Sequence, residues 1–158
     1  MQIRRAVPRD AETIARLAAA AAAEEGGNSS LDADRIRAHA FGQNALFEAW
    51  LAQERPNAPV LGQAVIVKSY DFRRAAPSIV LCELYVEPDR RRGGLARKLM
   101  SCVARRARDL GARELAITTG VENEVAQRFF AAVGAQRREA AVFLMSADGI
   151  EWLAAEGL

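Results

Sequence analysis

Apolar positions change their spacing along the chain, and each change marks an element. Ile3 to Val7 reads as a short strand that Pro8 stops. Asp10 stands where a helix cap would, and Ile14, Leu17, Ala18 and Ala21 fall on one helical face. Glu24-Glu25-Gly26-Gly27-Asn28 ends that helix. Ser29, with Asp32 three residues on, fits a second helix start, and the run continues to Phe41 before Gly42-Gln43-Asn44 breaks it. Leu46 to Gln53 and Val60 to Ser69 read as strands around the turn-rich Arg55-Pro56-Asn57-Ala58-Pro59. Arg73 to Pro77 reads as a loop, and Ile79 to Val86 as a strand closed by Pro88.

From Gly94 to Leu110, the apolar Leu95, Leu99, Val103, Ala107 and Leu110 recur at helical spacing, with Arg97, Lys98, Arg105, Arg106 and Arg108 largely off that stripe as a solvated face. Leu115 to Thr119 predicts a strand, Asn123 to Val133 a helix stopped by Gly134, Ala135 to Met145 one strand or a hairpin, and Asp148 to Ala155 a terminal helix. Strands and helices interleave, which predicts an α/β (α+β) fold with a mixed sheet. The 158 residues fit one domain, residues 1–158, with no internal linker.

Composition narrows the function. With 51% hydrophobic and 27% charged residues the chain is globular in character. A formal net charge of +2 does not call for nucleic acid, and no aromatic platform interleaves the arginines between Arg90 and Arg108. No run approaches the roughly 20 apolar residues of a membrane span, and no export segment opens the chain. Cys82 and Cys102 form no metal or redox pattern, and reduced thiols in a cytoplasmic setting are expected. No metal-ligand spacing occurs, so no metal is expected.

The segment richest in chemistry is Leu84-Tyr85-Val86-Glu87-Pro88-Asp89-Arg90-Arg91-Arg92-Gly93-Gly94-Leu95-Ala96. A strand ends, a basic glycine loop follows and a helix opens. Unpaired amides and the dipole at a helix N-terminus favour an anion, glycines admit a ligand close to the backbone, and Arg90, Arg91 and Arg92 add bidentate phosphate donors. The pattern is neither a Walker loop nor G-x-G-x-x-G. Taken alone it fits a pyrophosphate site or a tight turn beside solvated arginines.

The wider pattern resembles the GCN5-related N-acetyltransferases, the acyl-CoA-dependent GNAT family. Arg91-Arg92-Gly93-Gly94-Leu95-Ala96 matches that family's loop, with Val86 and Pro88 in place before it. Asn123, Ala126, Phe129, Phe130 and Gly134 match its second motif. Within the family, Leu31 to Phe41, Gly42, Leu46-Phe47, Tyr70-Asp71 and Gly134-Ala135 resemble the spermidine/spermine (diamine) acetyltransferase group.

The resemblance implies a sheet splayed between the strands Ile79–Val86 and Leu115–Thr119. It implies acetyl-CoA, with pantetheine on the backbone of Leu84, Tyr85 and Val86 and the pyrophosphate on the amides of Arg91 to Ala96. Asn123, Phe129 and Phe130 fall at further cofactor positions, although Asn123 also suits a helix N-cap. The implied chemistry is attack of a neutral primary amine of a small molecule on the thioester through a tetrahedral intermediate. Glu83 is the expected base or amine anchor, Tyr85 a second catalytic candidate and Asp71 an orienting group for a cationic substrate. A homodimer, often with swapped C-terminal strands, is also implied.

Two departures bear on activity. Phe130 stands where the family's usual proton-donating Tyr would be, and Cys82 replaces one of two adjacent acids of the diamine group. Arg73 occupies about the place of an aromatic residue near Asp71 in that group. Fewer acids favour polyamines less. The alternative expectation is a catalytically weak or inactive acyl-CoA-binding module.

Overall fold

The computed structural model describes residues 1–156. Its contacts divide into two units, Met1–Gly120 and a second beginning at Val121.

The first unit holds a five-stranded sheet in the order β1-β2-β3-β4-β5: β1 Gln2–Arg5, β2 Glu48–Gln53, β3 Val60–Asp71, β4 Ala76–Val86 and β5 Glu114–Ile117. The first four strands run antiparallel to their neighbours and β5 lies parallel to β4. Three helices complete the unit: α1 Ala11–Glu24, α2 Ala33–Ala40 and α3 Leu95–Asp109. The parallel β4–β5 pair needs a crossover, and α3 supplies it.

Register fixes the two faces of the sheet. Leu51, Gln63 and Tyr85 share one cross-strand row, and Ala49, Val65 and Glu83 the next. This face packs on α1 and α2 around Ile14, Leu17, Ile36 and Leu51. Rows Glu48–Ile66–Leu81 and Trp50–Ala64–Leu84 form the other face, covered by α3 through Leu95, Leu99 and Val103.

Under α3 lies Glu48, only 2% exposed, with carboxylate contacts to Arg106 (2.7 Å), Arg5 (3.3 Å) and Lys68 (3.3 Å). Burial alone would raise this carboxyl, but Arg106, Arg5 and Lys68 together hold it below the ordinary carboxylate value. Arg106, expected on a solvated face, therefore fastens α3 to β2, and the same carboxylate also holds Arg5 of β1 and Lys68 of β3.

Several ends differ from expectation. Asp10 does not cap α1 with its side chain; it accepts from Arg4 at 2.7 and 2.8 Å and from the Val7 amide at 2.8 Å, closing a 3-10 turn at Pro8–Asp10. The second helix starts late because Asp32, not Ser29, caps it, accepting from the Arg35 amide at 2.8 Å. β4 begins at Ala76, inside the expected loop, because Asp71 and Arg74 tighten the preceding turn.

The second unit contains α4 Glu124–Ala132 and α5 Ala147–Ala155. Ala135 to Met145, expected as a strand or hairpin, forms no strand. A strand needs a neighbouring edge, and this run pairs with none of the described strands.

Candidate active site

The candidate site is built on the last five residues of β4 and the turn that follows. β5 accompanies β4 only over Ser78–Leu81, where Leu81 meets Ile117. From Cys82 to Val86, β4 keeps its β3 neighbour but has no described partner on the other edge. The sheet thus opens where sequence analysis expects the splay.

A bulge sets which face of the sheet each of these side chains takes. Val65 pairs with Glu83 and Ile66 with Leu81, so Cys82 is the extra residue. The slip moves Glu83 and Tyr85 into the rows of Val65 and Gln63, on the α1 face, while Leu81 stays on the α3 face. Nothing in the alternation of the sequence announces this change of phase.

Glu83 is half-buried and accepts a hydrogen bond from Gln63 Nε2. Burial pushes its carboxyl above the ordinary carboxylate value; the Gln63 bond pulls it back, and the Glu25 charge pushes it further up. A carboxylate displaced toward neutral pH is a stronger base, as proton removal from an alkylammonium requires.

Tyr85 is buried, with its hydroxyl 3.4 Å from Glu87 Oε2 and the Arg91 guanidinium 5.7 Å from its ring centroid. Burial and the Glu87 and Glu24 charges raise its phenol, with Arg91 opposing. Cys82 is exposed, and desolvation with the neighbouring Glu83 charge raises its thiol, which disfavours the nucleophilic thiolate. Both cysteines are free.

The glycine loop presents amides. Arg92 (φ 63°) and Gly94 (φ 77°) are left-handed and turn the chain into α3. No side chain caps α3. The amides of Gly93, Gly94, Leu95 and Ala96 donate to no other described residue. A Cβ placed on Gly93 would meet nothing nearer than Arg90 O at 3.8 Å, so the fold itself leaves that side open. Free amides at the positive end of a 15-residue helix form an anion cradle, and they fit a pyrophosphate.

The arginines divide differently from the expectation that all three donate to phosphate. Arg91 donates from Nε to Val86 O at 2.8 Å and from Nη2 to both Glu24 oxygens at 2.6 and 2.7 Å. Arg90 is held by Glu54 at 2.9 Å. Of the three, only Arg92 has no carboxylate partner among the described residues. Arg16 pairs with Glu87 at 2.6 Å, so α1 is fastened to the loop at two points.

Asp71 lies apart from Glu83. Asp71 accepts from the Arg73 and Arg74 amides at 2.9 and 3.2 Å, and the Arg74 guanidinium holds its carboxyl below the usual range. On β3 it is six residues beyond Val65, the partner of Glu83, a separation of about 20 Å at strand rise. It stabilises the hairpin turn and is not brought to Glu83. Asn123 caps α4, accepting from the Ala126 amide at 3.0 Å, and Phe129 meets Phe130 edge-on at 5.4 Å. These three belong to the second unit. No group of three or more His, Cys, Asp or Glu residues that could hold a metal occurs among the described residues.

Sequence analysis missed Gly62 and Gln63. Gly62 lies against β4, where a Cβ would be 2.6 Å from Tyr85 O. An isolated glycine inside an apolar strand was the available signal. Gln63 is fully buried, a polar residue in the same apolar run.

Comparison with known proteins bears on the fold and the family. No curated protein matches the chain. Among solved structures, a ribosomal-protein-alanine N-acetyltransferase from Brucella melitensis biovar Abortus 2308 superposes with a TM-score of 0.73 at 18% identity, covering 92% of this chain and 100% of that one. The aminoglycoside N-acetyltransferase AAC(6')-Iy in complex with CoA gives 0.70 at 22% identity, covering 92% and 98%. An aminoglycoside acetyltransferase from an uncultured soil metagenomic sample, in complex with sisomicin, gives 0.74 at 18%, covering 92% and 95%. At these identities the likeness concerns the fold. The family profile reaches further, matching residues 12–135, and on that match the chain belongs to the acetyltransferase (GNAT) family.

Proposed function

We propose that this protein transfers the acetyl group of acetyl-CoA to a primary amine of a small molecule, diamine-like or amino-acid-like. The observation that carries the reading is Glu83, a half-buried carboxyl with raised proton affinity, on the stretch of β4 that β5 leaves unpaired and just before the free amides of the glycine loop.

The amides of Gly93 to Ala96 hold the pyrophosphate, and the unpaired edge of Leu84, Tyr85 and Val86 holds the pantetheine arm. The CoA complex of the aminoglycoside enzyme supports that choice of cofactor. Glu83 takes the proton of the incoming ammonium, directly or through water. The amine nitrogen then bonds to the thioester carbon, and the carbon–sulfur bond breaks. The thiolate has an ordinary pKa near 8.5 and leaves without a strong acid. The nitrogen gives up its second proton as the amide forms, and that proton reaches the thiolate through water or by relay through the Tyr85 hydroxyl.

Cys82 in place of a second acid argues for a shorter or less charged amine than a polyamine, within the diamine-acetyltransferase type. A homodimer is part of the reading, because Phe143 and Leu144 of the second unit are 92% and 93% exposed. Sedimentation would show it as a mass twice that of one chain.

A second reading is an acyl-CoA-binding module without turnover. Phe130 cannot donate a proton, and the Tyr85 hydroxyl is already beside Glu87. One experiment separates the two: thiol release from acetyl-CoA with spermidine, short diamines, amino acids, lysine analogues, aminoglycosides and peptides, beside calorimetric titration of acetyl-CoA. Turnover on one class, lost in Glu83→Gln, supports the transferase. Tight binding with no turnover on any amine supports the module. Absence of acetyl-CoA binding overturns both.

A further inference from the structure

We infer that Gln63 is a positioning residue for Glu83, locked by the Ile14 carbonyl of α1 so that its side-chain amide can only donate to the Glu83 carboxylate. The inference rests on the reading of Glu83 given above and adds a residue that acts through it.

Gln63 is 0% exposed, on β3, in the row beside that of Glu83. Its Nε2 faces two acceptors, Glu83 Oε1 and Ile14 O, the latter at 3.4 Å. Its Oε1 has no hydrogen-bond partner among the described residues. A free amide would turn to satisfy that oxygen. Here a flip would set Oε1 against both acceptors, one of them a fixed helix carbonyl. The two acceptors therefore decide the orientation, and the unpaired oxygen is its cost.

A donor that cannot turn over favours the charged form of its partner and disfavours the protonated one, which would need an acceptor. Gln63 so opposes the burial of Glu83. It keeps the carboxylate populated near neutral pH and fixes the direction of its second oxygen. The other groups acting on Glu83 are few. Glu25 after α1 raises its proton affinity, and Cys82 and Tyr85 on its own strand are neutral at that pH. Val65 opposite does not ionise.

The test uses full-length protein carrying carbon-13-labelled glutamate carboxyls, with Glu83→Gln identifying the Glu83 signal. Gln63→Met and Gln63→Leu remove the donor while keeping a buried side chain of similar size. Either variant that retains the wild-type melting transition suffices. The Glu83 titration midpoint is expected to rise by about one to two pH units, as for loss of a hydrogen bond to a charged group. The acid limb of kcat/KM, measured with the panel amine turned over fastest, is expected to rise with it while acetyl-CoA affinity holds. An unmoved Glu83 midpoint overturns the role of Gln63. A midpoint that rises while the acid limb stays still supports Gln63 as the group positioning Glu83 and overturns Glu83 as the base.

Discussion

Replacing Gly62 with alanine tests the close approach of β3 to the end of β4 proposed to face the cofactor. The added Cβ would lie 2.6 Å from Tyr85 O, 3.2 Å from Val86 Cα and 3.3 Å from Val86 Cγ2. The first two atoms are backbone, so no rotamer change relieves the contact. Ordinary van der Waals contact begins near 3.4 Å, and the strands must part by about 0.8 Å at Tyr85. Two effects compete. Alanine reduces the conformational freedom of the unfolded chain and favours the strand by about 0.5–1 kcal/mol. Overpacking a tight interior costs about 1–3 kcal/mol. The second wins, and a net destabilisation of about 1–2 kcal/mol is expected in urea denaturation. Because the displaced strand also carries the edge proposed to hold pantetheine, calorimetry should show weaker acetyl-CoA binding, about tenfold or more. Gly27→Ala is the control, with its Cβ at an ordinary 3.6 Å from Ala22 O. Gly62→Ala protein with wild-type stability and wild-type acetyl-CoA affinity would refute the close approach.

Three further outcomes follow from the same geometry. Gly93→Ala meets no atom closer than 3.8 Å and needs no left-handed backbone, so melting should stay within about 0.5 kcal/mol of wild type while acetyl-CoA affinity falls; unchanged affinity would remove Gly93 from the cradle. Glu48→Gln leaves Arg106 without its buried partner and should cost about 3 kcal/mol at pH 7. Because the folded Glu48 carboxyl lies below its unfolded value, its stabilisation is present above the unfolded value near pH 4.3 and is lost as pH falls through the folded one. The gap between wild type and Glu48→Gln should then narrow below about pH 4 in thermal melts, and a pH-independent gap would refute the ion cluster. Glu83 has the opposite sign: its raised folded value disfavours the charged form, so Glu83→Gln should lose activity yet unfold at higher temperature at pH 8, with the advantage vanishing near pH 4.

The legible parts of this molecule are those that local chemistry determines. The stripe Leu95, Leu99, Val103 and Ala107 specifies α3 and its buried face, and that helix is where the structure has it. The glycine loop was legible as an anion cradle because free amides need only a strand end, a left-handed turn and a helix start. Arginine roles were not legible. Arg90 and Arg91 look like phosphate donors until folding brings Glu54 and Glu24 to them from 36 and 67 residues away. Arg106 resembles any exposed helix charge until Glu48 is found beneath it. Asp71 is the converse: its partners are two and three residues away, and a turn absorbs it.

The phase of β4 shows why the face that carries the proposed base escapes a sequence reading. Plain alternation puts Leu81, Glu83 and Tyr85 on one side. The bulge at Cys82 leaves Leu81 under α3 and carries Glu83 and Tyr85 across to α1. One inserted residue thus carries the strand's carboxyl from the α3 face to the α1 face. It does so where β5 stops pairing, so the exposed edge and the redirected carboxyl arise at the same step along the chain. The position of Cys82 is then explained without chemistry of its own. A small side chain suits a bulge, and burial with the Glu83 charge disfavours a thiolate there. An acid at position 82 would project from the bulge, in a different row from Glu83. The single remaining acid is therefore the one that the register aims at Gln63 and α1, and acceptor preference should follow the carboxyls gathered there, Glu83 with Glu25, more than the residue at the bulge.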